Sequence, residues 1–297
     1  MINTHEISLE LMNDFIKTMN SSLGKKLIMS LTGLFMCTFL IVHLGGNLTL
    51  FAADQGYSFN VFAHFMTHFP PVEVAGYLLY ISILVHALYA LILTIANRRA
   101  RPVRYAVQIR TPIKWSSRNM GMLGSILFLF LVIHMANFWY RYKYTEVAYR
   151  EYRTDQLSGK MTTLAYFPDR PDFTYAVTTE GNIEVVRVKD LYAIVTFSFS
   201  HLWYVLLYLV SMVAVACHLL HGFQSAFRTL GWTHRKYTPL VELAGIWIFA
   251  VIIPLAFAAM PAVYYVKSTF FNAKTATVSG FDRPVTTCGG PTSIKKK

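Results

Sequence analysis

Five long stretches of this chain carry no charged side chain other than histidine, and that pattern restricts what it can fold into. They are Leu27–Ala53, Val74–Asn97, Asn119–Tyr140, Leu191–Phe227 and Leu243–Val266. Each exceeds the ~20 residues that cross a ~30 Å hydrocarbon core as helix. Inside lipid a backbone must satisfy its own hydrogen bonds, which leaves helices or a closed barrel, and unbroken apolar runs of this length are helical. The reading is an all-α membrane protein with five transmembrane helices and a small outer insertion. It divides as residues 1–24, an amphipathic lead-in; 25–141, helices one to three; 142–190, the insertion; 191–266, helices four and five; and 267–297, a tail.

The first run is too long for a secretory signal and lacks a small-residue cleavage site. The net charge of +12 is spread in a way that sets topology and does not point to nucleic acid. Lys17, Lys25 and Lys26 precede helix one, seven basic residues fall in Arg98–Arg118, and Arg228, Arg235 and Lys236 lie between helices four and five. Asp54–Glu73 has neither lysine nor arginine. The positive-inside rule places the N-terminus in the cytoplasm, and five spans put the C-terminus on the far side, the periplasm of a bacterial inner membrane. Cys37 and Cys217 sit in apolar runs, Cys288 stands in the tail, and no C-x-x-C-H occurs, which excludes covalent c-type haem.

Ile7, Leu11 and Phe15 recur at helical spacing in the lead-in, as on a helix lying along a surface. His64 and His68, in the connection Ala52–Pro71, are read as solvated loop residues. Trp139, Tyr140 and Arg141 form an aromatic belt with a charged anchor. The insertion Arg141–Asp190 balances eight basic against eight acidic residues, and a hairpin is expected around Glu180–Gly181. Helix four is long enough to project beyond the membrane. Pro254 and Pro261 should bend helix five. Gly33/His43, Gly76/His86 and Gly124/His134 share one spacing, with no physical account at this stage.

Ionisable residues within spans are costly and mark function. At ~1.5 Å rise per residue, His43 lies roughly 24 Å from the cytoplasmic end of its run and His134 roughly 22 Å; His86 lies roughly 17 Å in and His218 roughly 15 Å. One histidine from each of four helices thus falls into two layers of two. His221 lies roughly 10 Å in and His201 near 40 Å, and neither matches a partner. Imidazole is the common axial ligand of haem iron. Gly222, four residues after His218, shares its face and leaves room for a flat group. The expectation is four helices bundled around two stacked haems, one per layer, with His43, His86, His134 and His218 on the iron. Arg98 and Arg228 inside and Arg141 outside are candidates to pair with haem propionates.

These residues resemble a known family, the dihaem cytochrome b membrane anchor of succinate dehydrogenases and fumarate reductases in its five-helix, single-subunit form. The resemblance rests on HLGGN at His43, HALY at His86, the lone His134 of helix three and HLLHG at His218. It covers roughly Gly24–Trp232 and helix five. It implies that the first helix pairs with the third and the second with the fourth. It also implies that His218, with its H-x-x-x-G pattern, is the ligand, leaving His221 to a propionate or quinone. Two haem b groups, menaquinone as substrate, and a flavoprotein and an iron–sulphur subunit on the cytoplasmic side follow from the same resemblance. Departures are the large insertion, the long tail, and apolar Ala216 where some relatives carry a glutamate. The competing readings are a dihaem subunit of a hydrogenase or formate dehydrogenase, a transporter with a histidine proton relay, and a structural anchor. Motif order disfavours the first, and the absence of Gly/Pro-interrupted helix pairs and repeat symmetry disfavours the second.

Overall fold

A computed structural model of the protein describes residues 4–100, 115–168 and 173–271. Five helices are long and apolar enough to cross a membrane: Ser22–Phe51, Pro70–Arg99, Met120–Tyr144, Leu202–Thr229 and Thr238–Phe270. We number these spans one to five. Spans one to four close a ring in which consecutive members touch and the fourth returns to the first. Span five packs outside that ring against spans four and one.

The lead-in is a helix, Thr4–Asn20, joined to span one through Ser21, whose side chain accepts from the Gly24 amide at 3.0 Å. That bond satisfies one of the free amides at the helix start. Basic residues 101, 104, 110 and 114, Cys288 and the tail beyond residue 271 lie outside the described residues. Lys25, Lys26, Arg98, Arg99, Arg118 and Arg228 gather at the end of the bundle opposite a small sheet; we call these the basic end and the cap end.

The cap corrects the all-helical expectation. Residues Tyr149–Asp155 (β1), Met161–Tyr166 (β2), Tyr175–Glu180 (β3) and Ile183–Lys189 (β4) form an antiparallel sheet in the order β2-β1-β4-β3. The expected hairpin is its β3–β4 pair, with Glu180 opposite Ile183 and Gly181 at φ 64°. β1 is a central strand beside β4, and its alternation buries Tyr152 completely, with Arg150 on the same face beside Asp190, while Glu151, Arg153 and Asp155 share the opposite face. Its polar face reads as loop because charges occupy every other position.

One buried amide seats the cap. Asn60, on the helix Tyr57–His68, donates to Tyr152 at 2.9 Å and to Asp190 at 3.0 Å, and accepts from the Tyr192 amide at 2.8 Å. Asp190 also binds Arg150 at 2.7 Å and caps the helix Leu191–Phe199. The fourth apolar run is therefore two helices. It breaks at Ser200–His201, where His201 is extended and both side chains bond back to the Phe197 carbonyl. Such local bonds compete with the helix ladder.

Span five contains Pro261 and opens into a wider π-turn at Gly245–Ile252, just ahead of Pro254. A proline has no amide hydrogen to give, so the preceding turn reorganises around the missing bond.

Candidate functional site

The four span histidines meet as two pairs, and each pair joins opposite corners of the ring. His43 of span one and His134 of span three have ring centres 5.9 Å apart at 85°. His86 of span two and His218 of span four have ring centres 6.3 Å apart at 62°. Two imidazoles on opposite sides of one metal atom, with bonds of about 2 Å, have centres roughly 6 Å apart. Both pairs match that separation, and all four residues are half-buried.

The Thr32 hydroxyl supports one tautomer of His86. Thr32 of span one gives its hydroxyl hydrogen to the Ile28 carbonyl at 2.7 Å, and its oxygen lies 3.0 Å from His86 Nδ1. With that hydrogen on the carbonyl, the hydroxyl accepts from the ring. Nδ1 carries the hydrogen and Nε2 is left as a free lone pair, the form a metal requires. His134 Nδ1 lies 2.7 Å from the Tyr208 hydroxyl. Nδ1 of His218 is buried without a hydrogen-bond partner. His43 is flanked by Phe39, stacked at 5.0 Å, and by Phe257 of span five at 5.5 Å, while the Asn47 amide turns back to the His43 carbonyl at 2.7 Å.

The glycine spacing now has an account. A Cβ added to Gly33 would lie 3.4 Å from His86, so Gly33 of span one sits at the level of the other pair. His43 is ten residues further on, roughly 15 Å along the axis. Tyr208 and His218 of span four are also ten residues apart, and Tyr208 reaches His134. The two layers are thus roughly 15 Å apart, about twice the separation read from the runs. Run ends mark where charge begins, not a common plane, and the helices overshoot by different amounts. Gly76 and Gly124 hold the same step on spans two and three, where an added Cβ would meet nothing within 4 Å. Gly222 faces Met120 of span three, with only a distant 4.0 Å contact. Of these glycines, Gly33 is the one whose open side borders an imidazole.

The other candidates are placed less tightly. His221 lies one turn beyond His218, half-buried, three residues before buried Gln224. Arg98 is exposed at the basic end. Arg228, also there, pairs with Glu242 at 2.6 Å, an engagement that competes with any propionate. Arg141 at the cap end reaches the Asn137 side-chain oxygen at 3.4 Å.

His64 and His68 are not loop residues. They occupy successive turns of the helix Tyr57–His68, stack on each other at 4.1 Å, and His64 stacks on Tyr175 of β3 at 4.4 Å. Burial, with the neighbouring His68 adding to it, pulls His64 down to about 4. A cleft of about 340 Å³ opens beside them, lined by Val61, Phe65 and Phe69 as well.

Compared with protein-family models, characterised proteins and solved structures, the chain matches none.

Proposed function

We propose that this chain is the membrane-anchoring dihaem cytochrome b subunit of a succinate:quinone oxidoreductase. The observation that carries the reading is the pair of diagonal histidine contacts, 5.9 Å and 6.3 Å, one in each layer of a four-helix ring. Two imidazoles per layer are too few for a protein-only zinc site, which takes four ligands. They are the number that haem iron takes when a macrocycle fills the equatorial positions. The Thr32 contact at His86 Nδ1 and the gap that Gly33 leaves beside that ring fit that group.

Haem iron in such a site carries one electron at a time. The chain's part is to hold it: His43 and His134 at the cap end, His86 and His218 at the basic end. Held by one histidine from each side, such a haem would supply one-electron transfer and would leave no open position for oxygen. The basic end, with Arg98, Arg99 and Arg118, is the face for an iron–sulphur and a flavoprotein subunit on the cytoplasmic side. Menaquinone is the electron partner in the membrane, here a bacterial inner membrane. The choice of succinate chemistry rests on the motif resemblance at His43, His86, His134 and His218.

An absorption spectrum of the purified chain tests the haems, and co-purification tests the partners. The expected result is two low-spin b-type haems per chain. His86→Ala should lose one of them and leave the other largely in place. A haem-free chain, or loss of the cap-end haem alone in His86→Ala, would overturn the assignment.

A further inference from the structure

The ten-residue step singles out Tyr208. On spans one to three the residue ten before the histidine is glycine; on span four it is a tyrosine. Tyr208 is buried, with its ring wedged between Phe130 at 4.9 Å and Phe199 at 5.1 Å. Its hydroxyl meets His134 Nδ1 at 2.7 Å. Beside it stands the hydroxyl of Tyr204, which accepts from the Asn137 amide at 3.0 Å. Arg141 donates into the oxygen of that amide, which fixes the amide's orientation with its nitrogen toward Tyr204. A row of polar groups therefore runs from Arg141 inward to one imidazole, and it holds the phenol that touches that imidazole in place.

We propose that Tyr208 is the positioning residue of His134: it accepts the Nδ1 hydrogen, aims Nε2 toward the His43 side and strengthens the ring as a donor. The proposal rests on the bis-histidine haem reading. A histidine that binds metal through Nε2 keeps its hydrogen on Nδ1, and an acceptor there fixes the ring and raises its basicity. A stronger donor favours the oxidised, more positive iron, so the contact lowers the reduction potential of the cap-end site. At the basic end Thr32 serves His86 from a different helix, while His218 has no such partner. Each layer thus has one supported imidazole, by a phenol in one and an aliphatic hydroxyl in the other, and their potentials should differ for that reason.

The phenol could instead be mere packing, and Tyr208→Phe separates the two because it keeps the ring and removes only the oxygen. The test is a redox titration of the purified chain followed by absorbance, with electron paramagnetic resonance of the oxidised haems. We expect Tyr208→Phe to retain both haems, to move one midpoint potential upward and to shift that haem's low-spin signal, leaving the other unmoved. Thr32→Val should shift the haem that Tyr208→Phe leaves alone. If Tyr208→Phe does not fold, Tyr204→Phe, which removes the backing hydroxyl, should shift the same haem less and in the same direction. Unchanged potentials and signals in a folded, fully loaded variant would reduce Tyr208 to packing. A wild-type chain that takes up no haem would instead defeat the reading beneath the proposal.

Discussion

Two neighbouring histidines on one helix, His218 and His221, show how much a single turn matters. Both are half-buried on span four, and the ring of His86 on span two faces His218 at 6.3 Å. His218 also has Gly222 one turn on, where an added Cβ would meet Met120 only at 4.0 Å. His221→Ala should therefore keep both haems spectroscopically, whatever it does to quinone turnover. Loss of the basic-end haem in that variant would reverse the assignment. The motif singled out His218 in the sequence, and His218 is the one of the two seen against His86. Tyr208 was not legible, because a tyrosine in an apolar run looks like any other aromatic until its hydroxyl is seen against Nδ1. The signal was there, in the ten-residue step that spans one to three fill with glycine.

At the scale of elements, the cap is held by few groups, which makes it testable. Asn60 is fully buried and makes three bonds that tie β1, the helix Leu191–Phe199 and its own helix together. Asn60→Ala leaves the Tyr192 amide and the Asp190 carboxylate short of partners, at a cost of about 1–3 kcal/mol for each group left unsatisfied. Protease cleavage should then concentrate in residues 149–189 while the spans stay intact; a resistant cap would show that the bonds matter little. The stack of His64 on Tyr175 adds a pH dependence. The folded value of His64, about 4, lies below its ordinary 6.5. The unfolded chain therefore binds more protons between those values. The contribution is complete above pH 6.5 and is lost as pH falls toward 4. Hydrogen-exchange protection of Tyr57–His68 should drop from pH 7 to pH 5, and His64→Gln should remove much of that drop. The spans and the β3–β4 hairpin were legible because lipid and a tight Gly turn leave strong patterns. β1, β2 and the Ser200–His201 break were not: charges crowd β1, β2 is a short uncharged MTTLAY with little apolar alternation, and the break arises from side chains bonding back to Phe197.

At the scale of the whole molecule, the consequence lies in the separation of the two layers. They stand roughly 15 Å apart along the bundle axis, a distance set by ten residues of helix. Positive charge gathers at the end nearer His86 and His218, and the sheet covers the end nearer His43 and His134. Anionic lipid accounts for part of the basic charge on any membrane protein. On the proposed function, electrons enter from a partner subunit at the basic end and leave to menaquinone at the cap end, so each one moves charge through a substantial part of the hydrocarbon. One elementary charge crossing the full membrane couples to about 2.3 kcal/mol per 100 mV of potential. Succinate oxidation by menaquinone runs energetically uphill, as the resemblance implies, and a potential positive on the cap side would pull the electrons outward and drive it. Proteoliposomes of the complete complex measure this directly. With an imposed potential of that sign, succinate-dependent menaquinone reduction should speed up, and adding an uncoupler should slow it. The cap-end variants bear on the same route: a change at His134 that raises its site's potential should alter how much imposed potential the reaction needs. A rate that ignores both potential and uncoupler would place quinone chemistry at the basic end, on the same side as the partner subunits, and leave the cap-end layer off the electron path.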